Sequence, residues 1–153
     1  LAGYIHLLDE SGLLCGLHKY SIDAARRKAS IPKLQVYNNA LKMIYSPFTF
    51  DGAIANRQAW GHIFESSIGA YLVSQAFVHR FEVFYWRERT DEVDFILRKK
   101  GSVVAIEIKS NAEKQTKGLE SFKNLFSPQA AFIVGDGGIS AEEFLTMDLR
   151  KLF

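Results

Sequence analysis

Two β-forming segments flank a Lys-Gly pair, and no other feature constrains the fold of this chain as strongly. They are Glu92-Val93-Asp94-Phe95-Ile96-Leu97 and Val104-Ala105-Ile106-Glu107-Ile108-Lys109, separated by the turn-like Lys99-Lys100-Gly101-Ser102. The unit reads as a β-hairpin. With Lys100-Gly101 as a two-residue turn, paired residues have numbers that sum to 201. Phe95 then faces Ile106, Leu97 faces Val104 and Val93 faces Ile108, which makes one apolar face. On the other face Asp94 falls opposite Glu107, with Lys109 two residues further along the same side. Directly opposed side chains have Cβ atoms about 4.5–5.5 Å apart, and like charges there repel. A divalent cation between the two carboxylates would remove that repulsion. The ordinary alternative is a strand with alternating charge on its solvent face, in which Glu-x-Lys carries no chemical signal. A longer loop would also move Asp94 to a diagonal position.

Upstream, Asp51 to Val78 reads as one long helix, with Trp60, Ile63, Phe64, Ile68, Tyr71 and Leu72 at helical spacing along a buried stripe. Glu65 lies beside that stripe, with Gly61 and Gly69 one turn away on either side. A glycine inside a helix costs about 1 kcal/mol against alanine, so packing or a site must account for the pair. They either clear space around the Glu65 carboxylate or let the helix approach a sheet. Phe81 to Arg87 follows as an aromatic-rich strand, then the hairpin, then a helix over Ala112 to Phe126. Ala130 to Val134 is a short buried strand bounded by Pro128 and Gly135. The last strand, helix and strand imply a right-handed crossover between parallel strands. The predicted class is therefore α/β with a mixed sheet, in the order α-β-β-β-α-β.

A helix bearing Glu65, a strand bearing Asp94, and a strand bearing Glu107-Ile108-Lys109, followed by a helix and a strand, resemble the PD-(D/E)XK nuclease superfamily. Val93 stands where that motif often has proline. More narrowly, Gly61-His62-Ile63-Phe64-Glu65, Tyr85-Trp86-Arg87, Glu92-Val93-Asp94-Phe95 and Glu107-Ile108-Lys109-Ser110 resemble the uncharacterised C-terminal domain that follows the P-loop module in a group of prokaryotic ATPases. The resemblance implies a restriction-endonuclease-like core with Glu65, Asp94, Glu107 and Lys109 as the catalytic set. It implies Mg2+ or Mn2+ held by Asp94, Glu107 and the backbone carbonyl of Ile108, in keeping with the oxygen ligands those hard cations prefer. The metal would activate a water for phosphodiester cleavage, Lys109 would steady the developing charge, and Glu65 would act through water. DNA and the P-loop ATPase module of the same polypeptide are the implied partners, and a homo-oligomer is a further expectation.

The first fifty residues extend the resemblance. Leu1, Tyr4, Ile5 and Leu8 form an amphipathic helical face that ends at Gly12, a C′ residue. Leu13 to Tyr20 and Lys33 to Tyr37 read as two strands joined by a polar segment containing Arg26-Arg27-Lys28. A helix plus a basic hairpin is similar to the end of a winged helix, and a chain opening on Leu1 suits a piece of a longer protein. Residues 1–50 are thus expected to form a partial winged helix packed on a nuclease-like core of residues 51–153, with the boundary near Ser46-Pro47 to Gly52. Six lysines and arginines stand against three acids before residue 51, and thirteen against fourteen after it. Arg26, Arg27 and Lys28, with Lys114 and Lys117 at the start of the second helix, are the candidate DNA-phosphate contacts. Solvated charge explains these positions equally well.

Other chemistry finds little support. The single cysteine, Cys15, excludes an internal disulfide framework and reads as a small core residue. His6, His18, His62 and His79 lack metal-ligand spacing. Gly135-Asp136-Gly137-Gly138 lacks the Gly-Lys-Ser/Thr ending of a P-loop and reads as a surface turn, so this chain is not expected to hydrolyse ATP. No apolar run approaches the roughly 20 residues of a membrane span, and a cytoplasmic location is the expectation. Two functions compete: a metal-dependent DNA nuclease, and a non-catalytic DNA- or protein-binding or oligomerisation module that keeps the fold for its shape.

Overall fold

The computed structural model describes residues 2–23, 30–111 and 117–153. Helix α1 (Ala2–Glu10) leads through a left-handed Gly12 into a hairpin of β1 (Leu14–Leu17) and β2 (Lys33–Val36). Three helices follow: α2 (Asn39–Ile44), α3 (Phe50–Ala55) and the long α4 (Arg57–His79). Then come β3 (Glu82–Glu88), β4 (Asp91–Lys99), β5 (Ser102–Lys109), α5 (Lys117–Phe126), β6 (Ala130–Gly135), α6 (Ala141–Thr146) and a closing 3-10 turn, Leu149–Leu152. The main sheet has the order β3-β4-β5-β6, with β6 parallel to β5 and the other pairs antiparallel. This is a mixed α/β fold with helices on both faces of a central sheet.

The hairpin adopts the expected register, with Phe95 opposite Ile106, Leu97 opposite Val104, and Lys99 opposite Ser102. Lys100 and Gly101 both take positive φ, 49° and 94°, as a tight primed turn requires. The expected face is broken at one point. Phe84 pairs with Ile96 but Trp86 pairs with Val93, so β4 carries an extra residue, and Tyr85 stands against both Asp94 and Phe95. That bulge turns Val93 away from Ile108 and onto the opposite face. Phe95, Leu97, Ile106 and Ile108 pack with Ile68 and Leu72 of α4, whereas Val93 packs with Phe84, Trp86 and Ile96 under Leu119 and Phe122 of α5. Both faces of β4 are buried, not one. Tyr85 uses its backbone elsewhere: its N–H donates to His18 O at 3.2 Å, and its carbonyl accepts from Tyr20 N at 2.6 Å. The N-terminal hairpin is thereby hooked to the edge of β3, and its Cys15 and Leu17 join the α4-side core.

The single helix expected over residues 51–78 is two helices. Asn56 sits between them in extended conformation (φ −99°, ψ 104°), and its side chain accepts from Ala59 N at 3.0 Å. An asparagine that satisfies the first amides of α4 with its own carbonyl ends the preceding helix rather than continuing it. Helix α5 begins at Lys117, and the stretch from Ala112 lies outside the described residues. The apolar side of α1 is also less covered than its spacing suggested, since Tyr4 is 74% and Leu8 38% exposed.

Close approach of α5 to β4 depends on Gly118. A Cβ there would run into the Glu92 carbonyl and lie 2.8 Å from the Glu92 nitrogen. Alanine is the better helix former by about 1 kcal/mol, but the clash is with backbone, which does not give way easily. Gly118→Ala is therefore expected to lower stability by about 1–3 kcal/mol, moving Tm down by about 2–4 °C per kcal/mol. An unchanged or higher melting temperature would show that α5 sits further from the sheet.

Candidate functional site

The bulge in β4 determines where the acidic residues meet. It leaves Asp94 where its Oδ2 accepts the Ile108 N–H at 2.7 Å, so the side chain takes the place of a ladder acceptor across β5. Alternation on β5 puts Ile106 and Ile108 toward α4, which leaves Glu107 and Lys109 on the α5 side. The Lys109 ammonium is 3.0 Å from Glu107 Oε1, and Lys109 is only 3% exposed. Glu65 reaches in from α4 and bonds Lys33 Nζ of β2 at 2.6 Å. Lys33 also lies 3.7 Å from Glu92, and Glu92 is 3.4 Å from Arg87.

Lys33 is not a candidate in the sequence, yet it joins the hairpin to Glu65, Glu92 and Asp94. No local signal marks it. It opens a short strand, and its partner Glu65 lies thirty-two residues away on another element. Burial works against its charge, but Glu65, Asp94 and Glu92 outweigh that, so its pKa is raised. For Asp94, burial is the first cause and the charges of Glu65 and Glu107 add to it. Together they push its carboxyl from 3.8 up to about 8, against the Ile108 N–H and Lys33, which lower it. Asp94 is thus the carboxyl of the cluster on which these forces favour a proton. What remains is three glutamates, Glu65, Glu92 and Glu107, facing three cations, Lys33, Arg87 and Lys109.

That balance corrects the metal reading. Among the described residues, no group of three or more His, Cys, Asp or Glu side chains is arranged to hold a metal ion. The physical reason is visible in the partners. Glu65 is engaged by Lys33, Glu107 by Lys109, and Asp94 by a backbone amide, so lysines do the work assigned to the cation. Mg2+ or Mn2+ on Asp94, Glu107 and the Ile108 carbonyl is accordingly withdrawn, and with it the metal-dependent nuclease built on Glu65, Asp94, Glu107 and Lys109.

The glycines beside Glu65 have packing explanations. A Cβ at Gly69 would strike the amide of Gln35 and come within 2.8 Å of Phe95 Cζ. Gln35 is itself buried and donates to Val36 O at 2.9 Å and Ser66 O at 3.0 Å, tying the hairpin to α4. At Gly61 the nearest atom to an added Cβ is Ser110 Oγ, at 3.2 Å.

Of the candidate DNA contacts, Arg26, Arg27, Lys28 and Lys114 lie outside the described residues. Lys117 opens α5 and stands 3.7 Å from Asp91, beside a 430 Å³ depression that Glu107 and Lys109 also line. Cys15 is buried, and burial pushes its thiol up to about 11, as befits a core residue. Gly135 to Gly138 forms a turn in which Ile139 N donates to Ile133 O at 2.9 Å. Among the described residues, no helix is long and apolar enough to cross a membrane.

A second concavity is larger and of opposite character. It encloses 680 Å³ between the hairpin, α2 and α4, lined by apolar side chains that include Leu13, Val36, Met43, Phe48 and Ile63. Tyr45 on its rim is 89% exposed.

The described residues thus form an α/β domain with a charged cluster in which acids and bases are paired and, apart from it, an apolar groove. Residues 60–145, more than half of the chain, match the family described as domain of unknown function (DUF4143), and the chain belongs to that family. No curated protein and no solved structure matches the chain.

Proposed function

We propose that this domain is a non-catalytic protein-binding and oligomerisation module, which keeps a restriction-endonuclease-like scaffold for its shape and serves a P-loop ATPase in the same polypeptide. The observation that carries this reading is the 680 Å³ apolar groove, with Tyr45 exposed beside it and Phe48 in its wall. A contiguous apolar concavity on a surface marks an interaction site, because water gains by leaving it. The charged cluster supports the same view from the other side. Its cations are already spent on its carboxylates, and the described candidate for a phosphate contact, Lys117, faces Asp91. Protein is therefore favoured over DNA as the ligand. The ATPase connection rests on the resemblance of the Glu65, Asp94 and Glu107-Ile108-Lys109 segments.

The test is a photo-cross-linking amino acid at position 45 in the whole polypeptide. Peptide-to-peptide adducts are expected, and they should vanish when Phe48→Asp is added. Adducts with nucleic acid alone, or no adducts, would sink the reading.

A further inference from the structure

We propose that the apolar groove receives helix α1 of a second copy of this chain, the two copies exchanging helices about a two-fold axis. The inference rests on the protein-binding reading above and names its partner.

Two unfilled surfaces on one chain lead to it. Helix α1 turns Tyr4, Leu7 and Leu8 outward, at 74%, 62% and 38% exposure. The groove offers the complementary shape, open and lined almost wholly by apolar side chains. The two surfaces are joined. Leu13 N donates to Leu8 O at 3.0 Å, which folds the link back on the helix, and Leu13 with Leu14 then lines the groove. A strip that runs from a protruding helix into a recess is what a two-fold contact needs, because each copy then supplies both parts and the assembly closes. Every helix–groove contact is also made twice, which is how a small patch reaches the roughly 1,200 Å² of a specific interface.

Charge fixes the direction. The groove is lined by no acid and by two basic side chains, Lys42 and His62, both exposed, with Lys42 Nζ donating to the His62 carbonyl at 3.3 Å. Helix α1 ends in Asp9 and Glu10, with no basic residue in its last turn. Acids at a helix C-terminus sit at the negative end of the helix dipole, where a cation is favoured. Within the chain Asp9 has the Tyr37 hydroxyl at 2.7 Å and Glu10 has His6 at 3.4 Å, neither of them a lysine or arginine. Lys42 of the partner copy would supply that cation while the leucines enter the groove.

Sedimentation equilibrium of the 153-residue chain, from micromolar to near-millimolar concentration, tests the proposal. A concentration-dependent dimer is expected. Leu7→Asp on the helix and Tyr45→Asp on the groove rim should each raise its Kd at least about tenfold, since each would bury a carboxylate in the contact. Both positions are exposed in the single chain, so unchanged thermal melts at low concentration will show that the variants fold. A wild-type chain that stays monomeric overturns the exchange, and so does a dimer that tolerates either substitution. In those cases peptide adducts from position 45 would still uphold a different protein in the groove, so the two readings fail separately.

Discussion

Lys109→Met is expected to lower the unfolding free energy by about 3–5 kcal/mol, the largest loss from any single change in the charged cluster. Lys109 is 3% exposed and 3.0 Å from Glu107, whose side chain is itself 13% exposed. Methionine has nearly the same length and packs well, so the loss comes from charge and not from a cavity. It leaves a half-buried glutamate without its ammonium, and breaking a largely desolvated pair on one side costs far more than the pair is worth intact. The double variant Lys109→Met/Glu107→Gln should therefore recover most of the loss, which requires a coupling of about 3 kcal/mol or more between the sites, at the upper end of what contacting residues show. Urea denaturation reads both: the midpoint falls in the single variant and returns in the double, at constant m. A single variant as stable as wild type would mean that Glu107 is solvated or held by other groups.

How much of this was legible in the sequence depends on how local the determining interactions are. The β4–β5 register from Lys99–Ser102 to Phe95–Ile106 follows from Lys100-Gly101, because two residues with positive φ fix a hairpin and the pairs that run from it up to the bulge. The parallel β6 follows from one helix between two apolar runs. Asn56 carried a signal that periodicity overrode: a capping residue just before a helical pattern is a start, even where the apolar spacing runs through it. The bulge at Asp94-Phe95 had no such mark. It lies opposite Tyr85, whose backbone the N-terminal segment binds from the other edge of β3, a contact made only in three dimensions. Its effect reaches the site, because Val93 changes face and Asp94 turns to the Ile108 amide. Lys33 was missed for the same reason, since nothing near it in the chain hints at Glu65. Glu65, Asp94, Glu107 and Lys109 stand out in the sequence and Glu92 does not, while the counter-charge the sequence reading gives to a metal is supplied by Lys33 and Lys109.

Asp94→Asn is expected to act in the opposite direction and to stabilise the domain at alkaline pH. The Asp94 carboxyl titrates near 3.8 when exposed and near 8 in the fold, with burial as the first cause. Between those values the folded chain keeps a proton that the unfolded chain releases. Stability therefore falls as pH rises from about 4 to about 8, and the full cost of the buried charge is felt above that. Lys33 does not confuse this window. Its pKa is raised above 10.5, so its contribution is complete below that value and fades only at higher pH. Asparagine keeps an oxygen to accept the Ile108 N–H and never ionises. The variant should match wild type near pH 4 and exceed it near pH 8 by an amount on the order of a few kcal/mol. Because Asp94, Glu65 and Glu107 share the field, the midpoint of that difference belongs to the cluster and not to one side chain. Urea unfolding at pH 5 and pH 8 decides the matter. A constant difference at the two pH values, or a variant weaker than wild type at pH 8, would show that the Asp94 carboxylate is ionised in the folded protein and that the three glutamates and three cations are not the whole of its charge balance.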